Sequence, residues 1–261
     1  MEKEYNKFAE SDLFEGMTSI RAVIKSFDEK NSDRKIMEIL FDESRAEARY
    51  KELNYLSKIS TQYGFVLTKL SAEEINNLAI GNSHGGILAR CSSRTIPSLL
   101  DTPIESLPEN GFYVMLDGIE DPYNFGYSLR SLYAAGVDGV ILNERNWMGA
   151  AGVVSRASAG ASEMLDMFIA SGEDAADVFK SIDYKIICAG IRNSVSIYEA
   201  DMKKPVFLII GGEKRGISSA VLQKADQIVR IDYDSKFRGS LSAASSSAII
   251  GFEIMHQNKF M

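Results

Sequence analysis

The first 90 residues alternate between helical and strand-like patterns of hydrophobic and polar positions. From Ser19 to Phe27, apolar residues recur at spacings of three and four, which predicts an amphipathic helix. The apolar runs Lys35–Phe41 and Phe65–Leu70 predict strands, and the charged amphipathic stretch Ser44–Tyr63 between them predicts a long helix. An alternation of this kind indicates an α/β unit.

This unit closes with a capped helix and a glycine turn. Ser71 is followed three residues later by Glu74, a capping-box pattern that predicts the start of a helix. The stretch GNSHGGILAR, residues 81–90, turns on its glycines and returns through a short apolar strand, which completes the unit.

A proline-rich stretch separates the two halves of the chain. Three of the five prolines lie between Cys91 and Gly111. Proline removes a backbone donor and interrupts both helices and strand ladders, so this stretch is predicted to be a linker. We therefore expect an N-terminal domain over residues 1–104 and a second domain over residues 105–261.

The second half alternates apolar strands with helices. Five apolar runs predict strands, at Phe112–Leu116, Gly139–Asn143, Tyr184–Ala189, Val206–Ile210 and Gln227–Tyr233. Three longer stretches predict helices, at Phe125–Gly136, 155–168 and Ser240–His256. Continuously apolar strands between helices predict a parallel sheet that is covered on both faces, so the fold class is α/β.

Composition narrows the functional classes. The chain has 261 residues, 45% hydrophobic and 25% charged, as in soluble globular proteins, and its apolar runs are too short for a membrane span. Only Cys91 and Cys188 are present, which predicts no disulfide framework and a cytoplasmic protein. Two histidines and two cysteines at no ligand-like spacing predict no metal site. The net charge of −7 counts against nucleic-acid binding, although a local basic patch can still hold phosphates.

Three strand ends in the second half could carry chemistry, because ligands of open α/β sheets bind beyond the carboxyl ends of the strands. The first holds Asn124 and, six residues later, Arg130, which could equally be a helix cap and a surface arginine. The second, residues 209–218, is a glycine loop that matches neither dinucleotide nor P-loop fingerprints. The third, residues 230–254, leads into a helix of small residues, which could serve helix packing alone.

Together these segments resemble the motifs of the SpoU (TrmH-type) branch of the SPOUT RNA methyltransferases. The motifs are N-x-G with an arginine six residues after the Asn, then G-x-E-x-x-G, then an isoleucine followed by S-L-x and a small-residue helix. The first half resembles the family's L30e-like substrate-binding domain. The resemblance implies a C-terminal domain with a trefoil knot, and a homodimer.

The implied activity is methyl transfer from S-adenosylmethionine to a ribose 2′-hydroxyl, with ribosomal RNA ahead of transfer RNA as substrate. The implied catalytic residues are Arg130, Asn124, Glu213 and Ser240. The implied cofactor-binding residues are Gly211, Gly212, Gly216, Ile231, Leu241 and Ser242. The predicted RNA contacts are His84, Arg145, Lys236 and Arg238, with Arg156, Lys214 and Arg215 as further rim cations. His84 could instead bond to the backbone of its own turn, and Arg130 could act as base or as electrostatic stabiliser.

Two departures from the family pattern lie in the third motif. The family's S-L-N is Ser240-Leu241-Ser242 here, so a hydroxyl replaces a carboxamide, and the loop from Ile231 to Leu241 is about one residue longer. They keep open a non-catalytic RNA-binding or ribosome-assembly protein on the same fold. A nucleotide-dependent enzyme of the doubly wound type is a third alternative, disfavoured by the absence of phosphate-loop fingerprints.

Overall fold

A computed structural model of the protein describes residues 13–143, 150–212, 216–234 and 236–259. The chain divides into two compact units. The first combines the residues up to Thr95 with the later segment 150–164, and the second comprises residues 96–143 and 165–259. The first unit therefore includes a segment from beyond the predicted domain boundary.

The first unit contains four strands and five helices within the described residues. The strands are β1 (Leu13–Glu15), β2 (Ile36–Asp42), β3 (Val66–Leu70) and β4 (Ile87–Cys91). The helices are α1 (Gly16–Asp28), α2 (Tyr50–Tyr63), α3 (Ala72–Leu78), α5 (Ala151–Ala157) and α6 (Ala161–Met164). The sheet order is β1-β4-β2-β3, in which only β2 and β3 pair in parallel.

Local sequence signals explain two helix boundaries in this unit. The predicted capping box of α3 is confirmed, because Ser71 and Glu74 bond reciprocally to each other's backbone nitrogens. The long helix predicted from Ser44 is shorter, since Asp42 accepts from the Ser44 nitrogen and starts a separate 3-10 turn. A polar side chain at a turn thus competes with the helix for the backbone donors.

The segment 150–164 is fastened to the first unit by buried polar contacts. Arg34 Nε lies 3.0 Å from Glu163 Oε2, and both side chains are at most 5% exposed. Arg156 Nη1 lies 2.6 Å from Glu15 Oε2. At Gly152 a Cβ would lie 1.9 Å from the Leu13 carbonyl oxygen, so only glycine permits this approach of α5 to β1.

The second unit is built on a parallel sheet, as the sequence predicts, with seven strands in place of the five predicted. The strands are β5 (Phe112–Asp117), β6 (Gly139–Leu142), β7 (Asp166–Ile169), β8 (Lys185–Ala189), β9 (Val195–Ser196), β10 (Val206–Gly211) and β11 (Gln227–Arg230). The helices are α4 (Pro122–Ala134), α7 (Gly172–Ser181), α8 (Ser219–Lys224) and α9 (Ala243–Lys259). The sheet order is β7-β6-β5-β10-β8-β11-β9, and every pair is parallel.

Later strands of this sheet insert between earlier ones. β10 lies between β5 and β8, and β11 lies between β8 and β9. The chain therefore reverses its direction of progress across the sheet near β5, which is where open α/β sheets bind ligands. The trefoil knot that the resemblance implies remains a prediction.

The single helix predicted over residues 155–168 is wrong. The stretch contains the end of α5, the short α6 and then β7, which pairs with β6 from Gly139–Asp166 to Leu142–Ile169. β7 has only four residues and directly follows a run of serine and alanine that is typical of a helix. Four residues are too few to show a strand periodicity of their own, so the pattern predicts one continuous helix.

The predicted linker packs against the second unit. Leu99 and Leu107 are buried in the core of this unit, and the Leu99 nitrogen donates to the Ile169 carbonyl at 2.9 Å. The Ile169 nitrogen donates in turn to the Pro97 carbonyl at 2.9 Å. Proline is tolerated here because this segment lies beside β7, at the edge of the sheet.

Within the described ranges, no helix has both the length and the apolar character that crossing a bilayer requires.

Candidate active site

A cleft of about 250 Å³ opens at the carboxyl ends of β8, β10 and β11 in the second unit. Its lining combines apolar side chains with loop backbone. The lining residues are Ala189, Gly190, Ile191, Ile210, Gly211, Gly212, Gly216, Val229, Arg230, Ile231, Tyr233, Ser240, Leu241, Ala243, Ser246 and Ile250. The loops that follow these three parallel strands therefore lie together, because the carboxyl ends of parallel strands are at the same edge of a sheet.

Glycines let the backbone of the loop after β10 pack tightly at the cleft. At Gly212 a Cβ would lie 2.2 Å from the Gly118 carbonyl oxygen, and at Gly211 it would lie 2.6 Å from the Gly216 carbonyl carbon. The Gly212 nitrogen donates to the Asp117 carbonyl at 2.6 Å, which ties this loop to the end of β5. No other residue type fits at these two positions without moving backbone.

The loop after β11 returns to the cleft and starts α9. Ser240 and Leu241 line the cleft, whereas Ser242 is not among the lining residues. The Ser242 hydroxyl accepts from the Ser245 nitrogen at 3.2 Å, and the Ser242 carbonyl accepts from the Ser246 nitrogen at 3.0 Å. Ser242 therefore caps α9, a role for which serine and asparagine are about equally suited.

Sequence reasoning found two of the three loops around the cleft. The predicted residues that line it are Gly211, Gly212, Gly216, Ile231, Ser240 and Leu241. It missed the loop after β8, residues 189–191, and the side chains of Arg230, Tyr233 and Ser246. The sequence predicts a strand at Tyr184–Ala189, so the strand-end rule also applies to its carboxyl end.

The first motif lies on α4 and is not among the residues that line this cleft. Asp121 Oδ2 accepts from the Asn124 nitrogen at 2.8 Å and caps the helix, which begins at Pro122. Arg130 is exposed two turns later and has no ion-pair partner in the described part of the chain. Neither Asn124 nor Arg130 lines the cleft of its own chain.

Four predicted residues lie outside the described residues. They are Arg145, Glu213, Lys214 and Arg215.

His84 is held inside its turn. His84 is 7% exposed, and its Nδ1 accepts from the Gly86 nitrogen at 3.1 Å. Burial lowers the pKa of His84, and the positive charges of Arg45 and Arg156 lower it further against the opposing charge of Glu15. The geometry favours the backbone-bonding alternative for this histidine over an RNA contact.

The predicted basic rim is only partly available. Lys236 and Arg238 are exposed on the loop after β11. Arg156 is paired with Glu15 in the first unit, so its charge is already neutralised. Among the described residues, no group of three or more His, Cys, Asp or Glu side chains could hold a metal ion.

The fold and the cleft define a class of protein. A parallel sheet with a glycine loop at the point where the strand order reverses is typical of α/β enzymes that bind a nucleotide-like cofactor there. The chain belongs to the SpoU rRNA methylase family, whose model matches residues 111–252, more than half of the chain. The match includes every cleft residue and the first motif, and it confirms the resemblance drawn from the three motifs.

Similarity to known proteins extends over nearly the whole chain. The 23S rRNA (guanosine-2′-O-)-methyltransferase RlmB of Shewanella oneidensis is 26% identical over 254 residues, which are 95% of this chain and 98% of that protein. The crystal structure of an RNA 2′-O ribose methyltransferase matches with a TM-score of 0.75 and 22% identity, covering 94% of this chain and 88% of that one. The SpoU methyltransferase AviRb from Streptomyces viridochromogenes, in complex with AdoMet, matches with a TM-score of 0.74 and 20% identity, covering 94% and 89%. These two structures share the α/β fold of this chain.

Proposed function

We propose that the protein transfers a methyl group from S-adenosylmethionine to a ribose 2′-hydroxyl in ribosomal RNA. The observation that carries this proposal is the cleft in which second-motif and third-motif residues of the family meet. Family membership and the similarity to RlmB, named for guanosine 2′-O-methylation of 23S rRNA, support the reaction and the RNA class. Transfer RNA remains the less favoured substrate, and we propose that the protein acts in the cytoplasm.

The cleft suits an adenosyl group. Its walls are apolar at Ile191, Ile210 and Val229, and Gly211 and Leu241 line the same space. An apolar pocket with a few fixed backbone donors and acceptors is the usual environment of a nucleoside-containing ligand. When bound, S-adenosylmethionine supplies a methyl group already activated by its sulfonium.

We assign Arg130 to the site of the attacking ribose 2′-hydroxyl. A ribose hydroxyl loses its proton as it attacks, and a guanidinium beside it stabilises the alkoxide that develops. Arginine is normally locked in its charged form, so it acts as the base only if the site takes up that charge, for example through a substrate phosphate. We assign Asn124, Glu213 and Ser240 to the same site as polar companions.

We propose that a second copy of the chain completes the site. Arg130 does not line the cleft of its own chain, and α4 packs against α9, whose first turns do line it. These two helices expose large apolar side chains to solvent: Tyr127 and Tyr133 of α4, and Phe252 of α9, are each more than 40% exposed. Large exposed aromatic side chains on two packed helices are typical of a protein interface. Light scattering should therefore give twice the mass of one chain.

Methyl transfer to an unmodified 23S rRNA transcript tests the proposal. Labelled S-adenosylmethionine should place its label on one nucleotide, and digestion to nucleosides should show it on the ribose 2′-oxygen. Arg130→Ala should slow transfer by about 100-fold or more, because one charged contact to the developing oxyanion is lost. Lys203→Ala, which removes an exposed cation just before the amino end of β10, should transfer at the wild-type rate.

The outcomes separate the enzyme from its alternative. Calorimetry with S-adenosylhomocysteine should show micromolar binding to both wild type and Arg130→Ala. If the wild-type protein binds S-adenosylhomocysteine but transfers no label to the RNA, the claim that it is a catalyst is wrong. Absence of cofactor binding together with tight RNA binding would favour the non-catalytic RNA-binding protein.

A further inference from the structure

Two aromatic rings stand exposed at the loop after β11. Tyr233 and Phe237 meet edge to face, with ring centroids 5.1 Å apart and planes at 87°. Their side chains remain 37% and 45% exposed. Burial of large aromatic rings away from water is favourable. An exposed pair beside a cleft therefore indicates a surface that a ligand covers.

The loop holds these rings in fixed positions. Tyr233 Oη accepts from the Leu241 nitrogen at 3.4 Å, which joins the two ends of the loop. The Phe237 nitrogen donates to the Asp234 carbonyl at 3.0 Å. Gly239 passes so close to the ring that a Cβ there would lie 3.1 Å from Phe237 Cζ. A ring fixed in this way loses little entropy when a ligand stacks on it.

The two rings have different positions relative to the cleft. Tyr233 lines the cleft beside Ser240 and Leu241, whereas Phe237 is not among the lining residues. The pair therefore extends from the cleft wall outward along the same loop. A group that stacks on Phe237 lies next to the cofactor cleft and outside it.

Two cations flank Phe237 in the loop. Lys236 and Arg238 flank the ring in sequence, are exposed, and have no ion-pair partner within the described residues. Of the two acidic groups of the loop, Asp232 pairs with Arg230 at 2.8 Å, whereas Asp234 accepts from the backbone nitrogen of Lys236 at 3.0 Å and stays charged, so the two cations outnumber it. An exposed ring between two free cations is suited to a nucleotide, which offers a flat base and a phosphate together.

We propose that Phe237, supported by Tyr233, stacks on a nucleobase of the RNA substrate beside the nucleotide that is methylated, and that Lys236 and Arg238 bind its phosphates. This inference rests on the proposed function and adds a base-stacking subsite to it. Proteins read unpaired RNA bases by stacking on aromatic rings, and phosphate contacts from lysine and arginine position the strand.

Three variants test the subsite: Phe237→Ala, Phe237→Trp and, as a matched control, Tyr198→Ala, which removes a ring that is 68% exposed elsewhere in the second unit. The probes are an unmodified 23S rRNA transcript and S-adenosylhomocysteine. Phe237→Ala should raise the Kd for the transcript by about 5-fold or more, the effect of losing one stacked base. Phe237→Trp should stay within about 2-fold of wild type, since it keeps a stacking surface. The Kd for S-adenosylhomocysteine should not change in any of them.

Salt dependence tests the cations separately. Lys236→Ala and Arg238→Ala should each lower the slope of log Kd against log salt by about 1 if each side chain binds one phosphate. An unchanged RNA affinity in Phe237→Ala would overturn the inference, and so would an equal loss in Tyr198→Ala. If Phe237→Ala changes the Kd for S-adenosylhomocysteine and leaves the Kd for RNA unchanged, the Phe237 ring contacts the cofactor and the inference is wrong.

Failure of the subsite can be told apart from failure of the proposed function. If wild-type protein binds the transcript and transfers no methyl group, the proposed function fails, whereas the Phe237 comparison is still decided by RNA affinity. If wild-type protein methylates the transcript and Phe237→Ala does so with an unchanged KM for RNA, only the subsite fails.

Discussion

Gly212 shows how one missing side chain shapes the cleft. Its Cα lies against the Gly118 carbonyl, where a methyl group would come within 2.2 Å of the oxygen. Because both sides of this contact are backbone, the loops after β5 and β10 can relieve the clash only by moving apart. The cleft depends on the second of these loops, so its geometry depends on the glycine.

We therefore expect Gly212→Ala to lower the free energy of unfolding by about 1–3 kcal/mol, the usual cost of overpacking, and to weaken binding of S-adenosylhomocysteine. Denaturant unfolding and calorimetry measure the two effects. Gly136→Ala is the matched control, because Gly136 has φ +82° and a methyl group added there would have no atom within 4 Å. It should cost about 1 kcal/mol through backbone strain and leave the Kd unchanged. Equal Kd values in both variants would refute this role of Gly212.

His84 makes stability depend on pH. Burial lowers its pKa in the folded protein, aided by Arg45 and Arg156 and opposed by Glu15 and Asp42. A histidine whose folded pKa lies below the unfolded value stabilises the fold fully above about pH 6.5, and this contribution is lost as the pH falls through the folded pKa. Protonation of Nδ1 would also remove the acceptor of the Gly86 nitrogen.

The melting temperature should accordingly fall between about pH 7 and pH 5. His84→Asn should flatten this part of the profile, since an asparagine oxygen can accept from the Gly86 nitrogen and does not titrate. His256→Asn, at the chain's other and exposed histidine, should keep the wild-type slope. If the melting temperature of His84→Asn falls with pH as steeply as that of the wild type, groups other than His84 cause the loss of stability in acid.

Some site residues could be predicted from sequence and others could not. Gly211, Ile231 and Leu241 were found because motif order and spacing are one-dimensional properties. Tyr233 and Ser246 have no such signature, and only the three-dimensional structure brings them to the cleft. For His84 the sequence left an RNA contact and a turn role open, and its buried position and its bond to Gly86 favour the turn role.

At the scale of elements, the segment 150–164 depends on buried charge. The Arg34–Glu163 pair is nearly inaccessible to water, and Arg34 Nη1 also donates to the Ser92 carbonyl at 2.7 Å. Removing one partner of such a pair leaves an uncompensated charge in a low-dielectric environment. The attachment of α6 to the first unit is thus most sensitive to single substitutions at these positions.

Glu163→Gln should lower the free energy of unfolding by about 3–5 kcal/mol. Glu29→Gln breaks the exposed Lys25–Glu29 pair and should cost less than about 1 kcal/mol. The double variant Arg34→Met/Glu163→Met should recover much of the loss, because no buried charge is then left unpaired. Similar costs for Glu163→Gln and Glu29→Gln in denaturant unfolding would contradict this interpretation of the segment.

The elements that were predicted correctly are those with a strong local pattern. Continuous apolar runs gave β5, β8 and β10, and the capping box gave α3. β7 was missed because its four residues follow a helical pattern without a break, and its pairing partner β6 is more than 20 residues away in the chain. Pairing of that kind is a tertiary property.

At the scale of the whole molecule, strand order decides where the site forms. The insertion of β10 between β5 and β8 brings the glycine loop next to the loops after β8 and β11. Hydrophobic periodicity predicts strands and carries no information on their order. The sequence pattern alone therefore predicts a parallel sheet and does not predict the order of its strands. The family resemblance supplied the expectation that the motifs converge.

The central claim is that one chain provides the cleft and a second chain provides Arg130. Two inactive variants can test it together: Arg130→Ala keeps the cleft, and Ser246→Trp places an indole in it while α9 stays helical. In a hybrid dimer of the two, the cleft of the Arg130→Ala chain would meet the intact arginine of the other chain. The second site of that dimer would lack both groups.

The measurement is methyl transfer by hybrid dimers, isolated through different affinity tags on the two variants. If the arginine acts across the dimer, the hybrid should regain about half of the wild-type activity, since a two-fold symmetric dimer then has one complete site. If hybrid dimers form and stay as inactive as either parent, Arg130 does not act from the second subunit, and the proposed assembly of the site is wrong.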